Sequence, residues 1–431
     1  MIISKENIIE YFKSGIKDKK VFKIGIEHEK FLFDGKENKR ISYSKVQEMF
    51  SALNEFGWRP IQEKGNVIGL NKGEKNISLE PGNQIELSGE KLNNIHEACS
   101  ESHDYLFELR QVTKKLNINI VSTGFDPISK LNEIPNNPKE RYKLMTRDMP
   151  LNGELSLDMM YRTCGTQLNI DYSSENDFFK KFKIINSIVP ISIALFANSS
   201  IVEKKKSNYL SYRSKVWQNT SRGGLPKLFF ENLNFEKYAE FVMNFPILFL
   251  LDKDNYISGN KYIFKDFMNG KINEIGNRQP SESDLSLHLS TIFTENRLKK
   301  YIELRSMDTC GWDCLCAGPA FFIGLLYGNL DEVYNLISSW DKDKIINAYL
   351  DAPQKGFNTQ LMGKDLLYWA STLLEISKKG LDNRDVVNKS GKNENLFLYH
   401  LQKVIDNKMT NADHMISKFS KNEDLKDLYD K

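Results

Sequence analysis

Hydrophobic positions along this chain switch between helical spacing and strict alternation, which predicts a mixed α and β protein. Helical spacing covers residues 6–16, 44–56 and 96–116, and a strand-like run covers 21–33. Residues 178–196 read as one long core helix kinked at Pro190, because an interior proline removes a helical hydrogen bond. Residues 320–340 read as a further amphipathic helix, and the Pro- and Asn-rich stretch 134–138 as a loop. After about Lys378 the chain turns polar and helical, so a main unit at 1–378 is expected to carry a C-terminal helical extension at 379–431. No strand leads into Gly-x-Gly-x-x-Gly or a Walker loop, so a bound nucleotide is not held in a Rossmann or P-loop manner.

The alternation has a repeated feature. Four strand-like segments place aliphatics on one face and acids or amides on the other. In the first, Ile24, Ile26 and His28 share one face, and Gly25, Glu27 and Glu29 the opposite one. In the second, a Pro81-Gly82 turn joins an arm carrying Ser78 and Glu80 to one carrying Gln84, Glu86 and Ser88. The third presents Gln167, Asn169 and Asp171, and the fourth Tyr301, Glu303 and Arg305. Any one of these strands could be the wet side of an ordinary sheet. Together they concentrate oxygen ligands with a single arginine, and such a face is stable when cations occupy it. His28 falls on the apolar side and reads as a core residue.

Composition narrows the class. With 431 residues the chain allows two or three folding units, or one large unit with attachments, and 40% hydrophobic with 27% charged residues indicates a folded, soluble protein. Sixty basic and 57 acidic residues are interleaved to a net +3, which gives no field for nucleic acid. The apolar stretch 184–197 is interrupted by Asn186, Ser187 and Pro190 and is too short to span a bilayer, so no membrane partner is expected. Charged residues follow the first methionine too closely for a secretory signal, and a cytoplasmic location is expected. Five cysteines, an odd number, do not form a disulfide framework, and reduced thiols are expected.

Hard oxygen ligands select magnesium, manganese or calcium over zinc, and magnesium characteristically bridges carboxylates to nucleotide phosphates. Glu303 and Arg305, two apart on one strand, place a metal ligand beside a guanidinium able to stabilise a transferring phosphoryl group.

Seven ordered blocks between about residues 20 and 330 resemble the glutamate-cysteine ligases of plants and many proteobacteria. They include Gly25-Ile26-Glu27-His28-Glu29-Lys30-Phe31, the run from Ser78 to Gly89, Leu157-Asp158-Met159-Met160-Tyr161-Arg162-Thr163-Cys164, and Thr166-Gln167-Leu168-Asn169. They continue through Ser211-Tyr212-Arg213-Ser214-Lys215-Val216-Trp217, His288-Leu289-Ser290-Thr291 and the run from Arg297 to Arg305. The resemblance implies an α+β fold of the glutamine-synthetase and guanido-kinase type. Its curved, largely antiparallel sheet is flanked by helices and has a polar, concave active face. It further implies ATP as co-substrate and two or three magnesium ions on Glu27, Glu29, Glu80, Glu86, Gln167 and Glu303, with Glu303 and Arg305 catalytic. Substrate contacts are implied for Arg141, Thr166, Arg213, Trp217 and Arg222.

The implied reaction joins the γ-carboxylate of glutamate to the amine of cysteine through a γ-glutamyl phosphate, the first step of glutathione biosynthesis. Small-molecule substrates and a monomer or weak homodimer are expected. A related ligase using another amine, or a non-catalytic metal- or nucleotide-binding protein, remain as alternatives. The sequence departs from the plant pattern after Arg305, where it reads Ser306-Met307-Asp308, and in a shortened loop over 219–224. Cys99 and Cys316 occupy blocks resembling those that supply a regulatory disulfide in plant enzymes, but Cys310 and Cys314 crowd the second, and buried reduced thiols are expected at both.

Overall fold

In the computed structural model, which describes residues 3–422 and 428–430, nine strands form one sheet. They are β1 (Ile24–Asp34), β2 (Arg59–Glu63), β3 (Asn66–Lys72), β4 (Lys75–Leu79), β5 (Ile85–Ser88), β6 (Ile118–Val121), β7 (Gly165–Ile170), β8 (Asn296–Leu298) and β9 (Ile302–Asp308). Their order is β8-β9-β7-β1-β5-β4-β3-β2, with β6 on the far half of β1. Every pairing in this sheet is antiparallel. The expected fold class is the one found.

β1 is central because its 11 residues serve three neighbours. Ile24 to His28 pair with β7, Glu27 to Lys30 with β5, and Phe31 to Asp34 with β6. Its register is fixed by burial. Ile24 and Ile26 enter a core with Leu168, Ile170, Ile302 and Leu304, and Leu32 enters a second with Ile77, Leu79, Ile85 and Leu87. A one-residue slip would drive Glu27 and Glu29 into the first core. His28 is fully buried, its ring 5.4 Å from that of Tyr105, and burial holds its pKa well below the usual value.

The helices Lys5–Lys13, Tyr43–Leu53 and Ile95–Lys115 start where the sequence expects them, each under a polar cap: Ser4, Ser42 and Asn94. Two long helices do not form as single rods. The 178–196 stretch divides into Glu175–Ser187 and Val189–Leu195, with Pro190 in the first turn of the second, where its missing N–H leaves nothing unpaired. The 320–340 stretch divides into Ala317–Ile323, a wide turn over Gly324–Gly328 and, after a 91° bend, Leu330–Ile337. Gly324 and Gly328 lie so close to the backbone of Ser377 and Gly380 that a Cβ at either would collide with it. Among the described residues no single helix is long and apolar enough to cross a membrane.

Ser377 and Gly380 belong to helix Leu366–Arg384, which passes unbroken through position 378, so the boundary drawn at 378/379 falls inside it. One hydrophobic core continues from Ile3 to Ile405 across that boundary.

The expectation of reduced thiols is not met. Cys99 is bonded to Cys316 and Cys310 to Cys314, leaving Cys164 free and buried. Spacing in sequence could not show this, because helix Ile95–Lys115 brings Cys99 to a partner 217 residues away, at a Cα separation of 5.9 Å suited to a disulfide. A loop of that length contributes roughly 5 kcal/mol in chain-entropy terms. Dithiothreitol is therefore expected to lower the melting temperature by several degrees, and Cys99→Ser to show most of that lowering without reductant, only the short Cys310–Cys314 loop being left to open. Identical melting curves for oxidised, reduced and Cys99→Ser protein would contradict this.

Candidate active site

The four polar strand faces predicted from alternation lie side by side. Across the sheet, Glu86 is opposite Glu29, Ser78 opposite Glu86, Gln167 opposite Glu27, and Glu303 opposite Asn169. The tight turn at Pro81-Gly82 carries Glu80 onto the same wall. Glu27, Glu29, Glu80, Glu86, Gln167, Arg297 and Arg305 line one cavity, roofed by Arg141, Tyr142, Met145, Phe249, Ser290, Thr291 and Phe293.

Glu27, Glu29, Glu80 and Glu86 make no ion pair among the described residues; their contacts are neutral. Glu29 accepts from the backbone N–H of Gly165 at 2.6 Å and from Gln167 at 3.2 Å. Glu27 accepts from Asn169 at 2.6 Å, and Glu86 from Ser78 at 3.0 Å. Burial, with Glu80 nearby, raises the Glu29 pKa to about 7. Burial, with Glu80, Glu27 and Glu29 nearby, pushes Glu86 well above the carboxylate range. Buried carboxylates that repel one another in this way are hard oxygen donors suited to a divalent cation. They do not converge on a point, since among the described residues no three His, Cys, Asp or Glu are arranged to hold a metal.

Glu303 differs. It is 1% exposed, and its oxygens accept from Arg297 at 2.7 and 2.8 Å and from Arg305, with the Lys299 ammonium at 3.2 Å. Burial opposes its ionisation, but Arg297, Lys299 and Arg305 outweigh burial and hold its pKa well below normal. Glu303, expected among the metal ligands, is thus held in ion pairs with three cations.

Arg305 is aimed by a feature that alternation cannot show. The pairing of β9 with β7 shifts between Leu304 and Met307, so Arg305 and Ser306 bulge opposite Gln167. From there Arg305 donates to Gln167 Oε1 at 2.8 Å and stacks at 5.3 Å over Trp217. Arg213 stacks on Trp217 at the same distance and donates to the Arg305 carbonyl at 2.9 Å, which braces the bulge. A Cβ at Gly165 would sit 2.7 Å from the Arg213 guanidinium, so a side chain there would displace it.

The remaining expected residues divide. Arg141 lies in the cavity wall, stacked on Tyr142 and donating to its hydroxyl at 3.1 Å, with no ion pair among the described residues. Arg222 is buried behind the wall and committed to Thr291, donating to its carbonyl at 2.8 Å and its hydroxyl at 2.9 Å. Thr166 pairs with His28 and so lies on the face opposite Gln167, a correction to its expected place among the substrate contacts. The sequence reading missed Arg297, because a three-residue strand shows no period and Arg297-Leu298-Lys299-Lys300 resembles a solvated basic run. It also missed Tyr142, which donates to Leu79 O at 3.0 Å and ties the Arg141 helix to β4.

An antiparallel sheet presenting four uncompensated carboxylates opposite a bulged arginine has relatives. The model of the glutamate-cysteine ligase family 2 matches residues 23–431. The chain is 38% identical over 420 residues to the chloroplastic glutamate–cysteine ligase of Nicotiana tabacum, covering 96% of this chain and 79% of that one. It is 36% identical over 424 residues to the corresponding Arabidopsis thaliana protein, covering 97% and 80%. Among solved structures, the glutamate–cysteine ligase of Francisella tularensis in complex with AMP superposes with a TM-score of 0.57 at 13% identity, covering 93% of this chain and 85% of that one. That likeness defines the fold as the one used by a ligase of this kind. The chain belongs to the glutamate-cysteine ligase family.

Proposed function

We propose that this chain joins the γ-carboxylate of L-glutamate to the amine of L-cysteine using ATP and magnesium, the first step of glutathione biosynthesis. Family membership supports the substrates. The observation that carries the chemistry is the single wall on which four unpaired carboxylates stand beside Arg305 and below Arg141.

A carboxylate oxygen is a poor leaving group, so it must be activated before an amine can displace it. The glutamate side-chain oxygen attacks the γ-phosphorus of ATP and ADP leaves, giving an acyl phosphate. The cysteine nitrogen then attacks the acyl carbon, the bond from that carbon to the phosphate oxygen breaks, phosphate leaves, and the nitrogen gives up a proton as the amide forms. Arg305, fixed by Glu303 and Gln167, meets the charge that spreads over the transferring phosphoryl oxygens. Arg141, which makes no ion pair among the described residues, pairs with a substrate carboxylate. The apolar roof of Met145, Phe249 and Phe293 excludes water that would hydrolyse the acyl phosphate. Glu27, Glu29, Glu80, Glu86 and Gln167 would hold magnesium, which supplies positive charge against the nucleotide phosphates.

The raised Glu29 pKa gives this reading a pH signature. Its stabilising protonated form is full below the ordinary value of 4.5 and is lost as pH rises to about 7. A cation restores what is lost and must displace the proton below 7. Magnesium is therefore expected to raise the melting temperature more at pH 8 than at pH 6; an equal or reversed shift would count against the carboxylate wall as its site. For the chemical step, glutamate labelled with ¹⁸O in its side-chain carboxylate should deliver one labelled oxygen to the phosphate released with cysteine. Unlabelled phosphate would eliminate the acyl phosphate.

A further inference from the structure

We propose that Arg297 is a positioning residue for phosphoryl transfer, a role that rests on the ligase reading above. Arg297 on β8 lies directly across from Glu303 on β9 and is 5% exposed. Its guanidinium grips both carboxylate oxygens, with Nε to Oε2 at 3.1 Å and the terminal nitrogen at 2.7 and 2.8 Å. The other terminal nitrogen donates to the carbonyls of Ser290 at 2.7 Å and Ile292 at 3.0 Å. Arg297 therefore ties the turn that roofs the cavity, through Ser290 and Thr291, to the strand that carries Arg305.

Glu303 transmits the constraint. It is the only carboxylate in ion-pair contact with Arg305 among the described residues, and it meets Arg305 through the same Oε1 that Arg297 holds. Gln167 Oε1 accepts from the same terminal nitrogen of Arg305 at 2.8 Å. Arg305 is thus suspended between Gln167 and a carboxylate whose own orientation the Arg297 fork fixes. A guanidinium offers five donors in a plane, whereas an ammonium offers three on a flexible stem. Lysine at 297 would keep the charge but could not hold two carboxylate oxygens and two carbonyls at once. Lys299, already within reach of Glu303, supplies charge without that geometry.

The test is ADP release with glutamate, cysteine and magnesium by wild type, Arg297→Lys, Arg305→Lys and the double variant. Arg297→Lys is expected to lower kcat about tenfold or more, with KM for ATP and glutamate within about twofold. The double variant is expected to be no slower than Arg305→Lys alone, because both changes remove one function. Losses that multiply, or a change confined to KM, would overturn the proposal. If Arg297→Lys does not fold, Glu303→Asp withdraws the carboxylate from Arg305 while keeping its charge. It should show the same kcat loss, again not multiplied by Arg305→Lys, and full kcat in Glu303→Asp would overturn the proposal. A wild-type protein without turnover would instead refute the ligase reading itself; an active wild type with multiplying losses refutes the role of Arg297 alone.

Discussion

Replacing Arg305 with lysine is expected to lower kcat on the order of a hundredfold or more while leaving KM for glutamate nearly unchanged. Charge is preserved in this variant, so a loss of that size must come from geometry. One terminal nitrogen of Arg305 reaches both Glu303 and Gln167 from a bulged position on β9, and the guanidinium plane stacks on Trp217. Lysine keeps none of the planar stacking, and its single nitrogen cannot hold Glu303 and Gln167 while a second nitrogen meets the phosphoryl oxygens. An effect on kcat and kcat/KM together marks an interaction made in the transition state. A change limited to KM for glutamate would make Arg305 a binding residue instead.

Glu303→Gln is expected to abolish measurable turnover and to lower stability as well. A carboxylate that served only as a metal ligand would on this change lose activity far beyond any loss of folding. The structure changes the second half of that expectation. Arg297, Lys299 and Arg305 all meet at this carboxylate, and the amide leaves two buried guanidiniums and the partly exposed Lys299 without the charge they share. Removing one partner of a buried ion pair costs roughly 3–5 kcal/mol, so urea or thermal unfolding should show a shift well beyond error. Normal turnover with an unchanged unfolding midpoint would show that the Arg297–Glu303–Arg305 cluster is neither structural nor catalytic.

The carboxylate wall was legible from sequence because period two is a local property. Glu27, Glu29, Glu86, Gln167 and Glu303 could be assigned to one face without knowing which strands were neighbours. What alternation could not supply was register and burial. It did not show that Thr166 follows His28 to the other face, or that a bulge re-aims Arg305. Nor did it separate Glu303, enclosed by three cations, from four carboxylates that have none, since that depends on Arg297 arriving from a strand too short to read. Helix starts were legible through their Ser and Asn caps, whereas the bend after Gly328 depends on a helix some 50 residues further on that presses against it. The Cys99–Cys316 bond is likewise a long-range meeting of two elements: resemblance pointed to the pair, but nothing local in the sequence shows that they bond.

The most direct measurement is the stoichiometry of ADP release, with magnesium, as the amino acids are varied one at a time. Sustained ADP release should require glutamate and cysteine together, with one γ-glutamylcysteine formed per ADP. Release at the same rate when cysteine is omitted or replaced by another amine, or without glutamate, would contradict a glutamate–cysteine ligase.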